Sequence, residues 1–155
     1  MKTEKYNFGP ISLPPDREFD KARLEIYGIN HFRPSYSVRV FFNDKKVNKN
    51  TCTDDRESYA GTFSIFGHAQ CAGDDGHCHV PTGQRRFDTR PSHPLTRAFK
   101  RIDVTQALKR VINDNADELT ITVFVAAENV EFEGKHLLDI QGMQLVTTDN
   151  CNRDY

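Results

Sequence analysis

At 155 residues, 37% hydrophobic and 28% charged, the chain is long enough to build one domain around its own core. Its formal net charge of −1 provides no global positive field to draw it to nucleic acid or an anionic membrane surface. No apolar run approaches the roughly 18 residues that a membrane-spanning helix requires.

Residues 1–20 read as a linker or N-terminal arm, or as an extended strap over the domain. Pro10, Pro14 and Pro15 interrupt a hydrogen-bond ladder, and the apolar residues between them keep no clean period. The segment also lacks the apolar centre of a signal peptide, so an intracellular chain is expected, or else a piece or mature form of a longer one.

From residue 21 to 148 the pattern is that of one β domain. Ala22, Leu24 and Ile26 alternate with Arg23, Glu25 and Tyr27, and Tyr36, Val38, Val40 and Phe42 alternate in the same way, the period of half-buried strands. The stretch from Asn30 to Pro34 between them is expected to be a hairpin connection. A polar loop from Asn43 to Ser58 is expected to be mobile, and Tyr59–Phe66 reads as a third strand. Residues 67 to about 101 form a long irregular stretch, of the kind that is usually functional or ordered by a ligand or partner. Asp103 is placed to cap a short helix, with Gln106 at the capping-box position and Val104, Ala107, Leu108 and Val111 on one face. Two further strands are expected over Leu119–Ala126 and about Leu137–Thr147, followed by a polar tail, residues 149–155. At least five strands, one short helix and long loops predict a mainly β fold, an antiparallel, jelly-roll-like β-sandwich.

The chemistry is concentrated between Gly67 and Pro81, in GHAQCAGDDGHCHVP. His68, Cys71, His77, Cys78 and His79 are donors that suit copper or, second, zinc. His77 and His79 leave the same face of an extended chain while Cys78 leaves the other, and Gly73 and Gly76 let the loop fold back. The competing reading is a Cys71–Cys78 disulfide with solvent-facing histidines, worth about 2–3 kcal/mol for so short a loop. A pair that binds copper when reduced and closes when oxidised joins the two. Cys52 and Cys151 are the remaining cysteines, and their pairing is left open. His31, His93 and His136 read as ordinary loop or strand-end histidines.

A basic cluster follows, with Arg85, Arg86, Arg90, Arg97, Lys100 and Arg101 offset within it by Asp88. Its plain reading is a solvated loop whose arginines pair with local carboxylates. Its functional reading is a docking surface for an acidic partner face, formed by Arg85, Arg86, Arg90 and Arg97, with Phe87 and Phe99 as side chains able to plug a neighbouring site. No Gly-rich phosphate loop, G-x-S-x-G or H-E-x-x-H is present, so the chain is not expected to be an enzyme by itself.

The order SVRVFF, YAGTFSIFGH, a loop, FKRIDVTQALKR and a valine-rich strand resembles the C-terminal β-sandwich domain of type-3 copper proteins, the tyrosinases, catechol oxidases and molluscan haemocyanins. Ala60–Gly67 and Arg101–Leu108 carry most of the likeness. Gly67–Pro81 and Arg90–Thr96 look most like the tails of long bacterial tyrosinase-like proteins. The catalytic domain of that family holds two coppers on six histidines of a helical bundle. The six histidines here are scattered through a β-rich sequence and cannot reproduce that centre. The resemblance therefore implies a non-catalytic accessory domain with a tyrosinase-like catalytic domain as partner, covering the copper-site entrance and assisting copper loading. The rival expectations are a freestanding copper-binding protein or chaperone, and a β-sandwich interaction module with structural disulfides.

Overall fold

The computed structural model describes residues 1–13, 18–51, 53, 56–68, 86–87, 96–114, 116–128 and 136–149. Among the described residues, seven strands and one helix follow in chain order: β1 (Lys2–Ser12), β2 (Lys21–Ile29), β3 (Tyr36–Phe42), β4 (Tyr59–Ile65), β5 (Ala98–Asp103), α1 (Thr105–Asn113), β6 (Glu118–Ala127) and β7 (Gly142–Thr148). They form two antiparallel sheets, one in the order β1-β6-β3-β4 and the other β5-β2-β7. The β-sandwich expected from the period-two alternation is what the chain adopts.

Its core comes from the residues that alternation selects. Leu24, Ile26 and Ile29 of β2, Val38, Val40 and Phe42 of β3, and Leu119, Ile121, Val123 and Val125 of β6 are at most 2% exposed and belong to one cluster. At about 1.5–3 kcal/mol for each large aliphatic side chain, this burial outweighs the surface ion pairs, worth about 0–1 kcal/mol apiece. The helix carries the chain from the three-stranded to the four-stranded sheet and buries Ala107, Leu108 and Val111, as expected. Its N-terminus differs in detail. Val104 is the cap residue and has no side-chain bond to give, while Asp103 Oδ1 accepts from the Thr105 amide at 2.9 Å. Gln106 lies exposed.

Four expectations are corrected by this architecture. Residues Lys2–Ser12, read as part of an arm or an extended strap over the domain, form an edge strand that pairs with β6 from Lys2↔Ala127 to Ser12↔Glu118. The edge position tolerates Pro10, because the register shifts between Phe8 and Ile11 around it. Gly9 is required there: its φ is +101°, and a Cβ would stand 2.8 Å from the Leu119 carbonyl oxygen. The Asn30–Pro34 connection is not a hairpin, since β2 and β3 lie in different sheets. The stretch read as irregular to about residue 101 ends in β5, a short edge strand that begins at Ala98 and whose alternation was hidden by Lys100 and Arg101. The last strand begins at Gly142, while Leu137 and Leu138 are buried outside any strand.

The loop after β3 is pinned rather than loose. Val47, 2% exposed, packs with Phe41 and Phe124 into a second cluster on the outer face of the four-stranded sheet. Asp44 gathers the loop by accepting from the Lys46 amide (3.0 Å) and the Ser58 hydroxyl (3.0 Å), with Arg56 alongside at 3.0 Å. Arg39 stacks over Phe124 at 4.8 Å and donates to the Thr51 carbonyl at 2.7 Å.

Candidate functional site

Two of the described histidines, His31 and His68, meet where the β2–β3 connection crosses the exit of β4. The crossing is tight. The His68 amide donates to the His31 carbonyl at 2.8 Å, and the Gly67 amide donates to Ser35 Oγ at 3.0 Å. A Cβ on Gly67 would fall 1.9 Å from the Arg33 carbonyl oxygen, so only glycine lets the two segments approach. This contact sets His31 beside His68, with ring centroids 5.1 Å apart and planes at 84°. Phe32 and Phe66 extend the pair into an aromatic row: Phe32 lies 5.6 Å from His31, and Phe66 lies 5.5 Å from His68. Phe66 is 78% exposed and Phe32 56%, so the row ends in large apolar side chains presented to solvent. His31 Nε2, by contrast, is buried and finds no hydrogen-bond partner among the described residues.

Asp139 organises the base of this end. Its carboxylate accepts from Asn30 Nδ2 at 2.9 Å and pairs with Arg33 at 3.1 Å and Arg97 at 3.3 Å. Its carbonyl accepts from the Asn30 amide at 2.8 Å. The Asn30 hydrogen bond, together with the two guanidiniums, outweighs partial burial and holds the carboxyl below its ordinary range. Arg33 also donates to the His136 carbonyl, and Arg97 to that of Gly28 at 2.9 Å. An open groove of about 460 Å³ adjoins the Phe66 end of the row, lined by Ser35, Tyr36, Ser37, Ile65, Phe66 and Ala126 among others. Burial pushes the Tyr36 phenol well above its usual range, so it stays a neutral hydroxyl at the groove wall.

Of the five residues expected to hold a metal, His68 is described. Cys71, His77, Cys78 and His79 lie outside the described residues, as do Cys52, Cys151 and His93. Among the described residues no group of three or more His, Cys, Asp or Glu forms a metal centre. Of the docking residues, Arg85 and Arg90 lie outside as well. Arg86 stands 5.1 Å over the ring of Phe87, which is 91% exposed. Phe99 is half exposed, with Arg101 at 5.6 Å over its ring, while Arg101 also donates to Glu25 at 3.1 Å. Arg97 is exposed and pairs with Asp139 at 3.3 Å. The sequence reading missed His31 as a neighbour of His68, Phe66 as an exposed aromatic, and Asp139 as an organiser. No local spacing announces any of them, because each depends on the crossing of segments remote in sequence.

No protein-family model and no curated protein matches this sequence. Solved structures do. A recombinant latent aurone synthase, a polyphenol oxidase, aligns with 95% of this chain and 24% of its own, at 15% identity and a TM-score of 0.51. The chain has the fold of one part of a polyphenol oxidase. A latent aurone synthase from natural source gives a TM-score of 0.50 at 16% identity over 94% of this chain and 24% of its own. Latent apple tyrosinase gives 0.51 at 15% identity over 94% and 28%. The likeness to tyrosinase-type proteins expected from the motif order is thus found in the fold. The chain spans about a quarter of the length of these polyphenol oxidases.

Proposed function

We propose that this chain is a non-catalytic accessory domain that docks on a tyrosinase-like catalytic domain, in the same polypeptide or a separate one, and covers the entrance to its copper site. The observation that carries this reading is the coverage: nearly all of this chain aligns with about a quarter of oxidases that are themselves described as latent. The surface supports it. Phe66 stands exposed on an open groove, and Phe32 and Phe87 stand exposed elsewhere on the chain. Large aromatics presented in this way suit the buried centre of an interface better than open solvent. Copper handling by His68, Cys71, His77, Cys78 and His79 is the finer part of the proposal. Their imidazole and thiolate donors would hold copper and favour its cuprous state during loading.

The test is to mix the purified chain with its cognate catalytic domain and follow both gel filtration and diphenol oxidation. Co-elution with a fall in oxidation rate, reversed when the chain is removed by limited proteolysis, is the expected result. Separate elution with an unchanged rate would sink the accessory reading.

A further inference from the structure

We propose that His31 and His68 together ligate a single d¹⁰ cation, Cu⁺ or Zn²⁺, at the crossing of the β2–β3 connection and the end of β4. The inference builds on the copper-handling part of the proposed function. It relocates the anchor of the site from the loop cysteines to a histidine pair that the fold itself assembles.

Three observations converge on the pair. The first is geometric. With metal–nitrogen bonds of about 2.0–2.1 Å, and ring nitrogens about 1.1 Å from the ring centres, two imidazoles on one tetrahedral ion have centroids about 5 Å apart. The separation here is 5.1 Å with the ring planes at 84°, which matches that spacing. The second is the orphaned nitrogen. Edge-to-face packing of two rings satisfies their faces and edges, yet it leaves His31 Nε2 buried with no partner among the described residues. A buried polar atom without a partner costs about 1–3 kcal/mol, and a metal ion at the lone pair removes that cost. The third is preorganisation. The 2.8 Å bond from the His68 amide to the His31 carbonyl and the close passage at Gly67 fix both backbones before any ion arrives. A site on such a crossing loses little entropy when it binds.

The chemistry of the donors selects the ion. Two imidazoles without a carboxylate are a poor site for Mg²⁺ or Ca²⁺, which require oxygen ligands, and a good one for borderline and soft cations. Cu⁺ is satisfied by few ligands, whereas Zn²⁺ would complete its four positions with water or with further donors.

The experiment uses the full chain under reductant, titrated with Zn²⁺ and with Cu⁺ against a chromophoric chelator. Three variants are compared with it: His31→Ala, Cys71→Ser/Cys78→Ser, and His136→Ala as a histidine control outside the pair. One equivalent bound by the parent, retained by the cysteine variant and by His136→Ala, and weakened at least about tenfold by His31→Ala is the expected result. Histidine-selective nitrogen NMR of the unmutated chain gives a readout that no misfolded variant can confuse. The ring nitrogens of His31 and His68 should shift together and saturate at one equivalent. Binding unaffected by His31→Ala, or saturation with both rings unmoved, overturns the assignment. A chain that holds no ion and still co-elutes with a catalytic domain overturns it too, and leaves the accessory role standing.

Discussion

The hydroxyl of Thr105 grips both backbone groups of Ala22: it accepts from the Ala22 amide at 2.9 Å and donates to the Ala22 carbonyl at 3.3 Å. Residues 83 positions apart in sequence are thereby tied where β2 begins and α1 starts. Both are buried. Thr105→Val keeps the shape and removes both bonds, leaving a buried amide without that partner. Urea unfolding should register a loss of about 1–3 kcal/mol. Thr105→Ser, which retains the hydroxyl, should lose less.

Asp139 makes the acid side of the stability curve informative. Its carboxyl is held below its ordinary range by the Asn30 hydrogen bond and by the neighbouring Arg33 and Arg97. A depressed folded value means that its contribution is complete above the unfolded value, near 3.9, and is lost as pH falls through the lower folded one. Asp139→Asn should therefore cost about 1 kcal/mol at neutral pH, after allowing for solvent screening of a partly exposed group. The gap between variant and parent should close below about pH 4. Thermal melts of both proteins from pH 7 to pH 2.5 check the direction. A gap that widens in acid would contradict it.

Val47 seals the outer-face cluster with Phe41 and Phe124. Truncation to alanine removes buried methyl groups and opens a small void, for an expected cost of about 1–3 kcal/mol by denaturant unfolding. Hydrogen exchange of the amides between Asn43 and Ser58 should quicken in the variant. That outcome separates a pinned loop from one that rests on the sheet without contributing to it.

Gly67→Ala tests the crossing on which the histidine pair depends. The added methyl would meet the Arg33 carbonyl at 1.9 Å and the Pro34 carbonyl carbon at 2.3 Å, both of them backbone atoms. The segments must separate, at a cost of about 1–3 kcal/mol. Histidine NMR should show His31 and His68 losing their mutual ring-current shifts while His136 is unchanged. Should the two rings keep their parent shifts, the crossing is not what holds them together.

Phe66 is the residue through which docking can be tested with least damage to the fold. At 78% exposure its truncation to alanine should alter folding stability by no more than about 0.5 kcal/mol. On the docking reading it should weaken association with the catalytic domain by more than about 1 kcal/mol, or roughly fivefold, in isothermal titration. Phe87→Ala is the comparison at the second exposed aromatic, and unchanged affinity in both variants would remove these side chains from the interface.

Period-two alternation of Leu24/Ile26, Val38/Val40 and Ile121/Val123 was enough to predict a β-sandwich, because burying one face of a strand leaves a local trace in the sequence. The helix face Ala107, Leu108 and Val111 was legible for the same reason at period 3.6. Pairing between remote strands leaves no such trace. Lys2–Ser12 forms a strand because β6 offers a free edge and the bulge around Gly9 and Pro10 preserves the ladder on either side. The local sequence records only the proline. Likewise Asn30–Pro34 has the composition of a hairpin loop, and its crossing between sheets is decided by which partners β2 and β3 find. His68 could be singled out by the residues around it, whereas His31 became relevant only when the chain passed over Gly67. What the amino-acid pattern alone determined was the class of fold, its core faces and the donor chemistry of the loop. The tertiary structure decided which segments meet, and so placed His31 against His68, Arg97 on Asp139 and Phe66 in solvent, since contacts between distant residues depend on packing and not on neighbours in sequence.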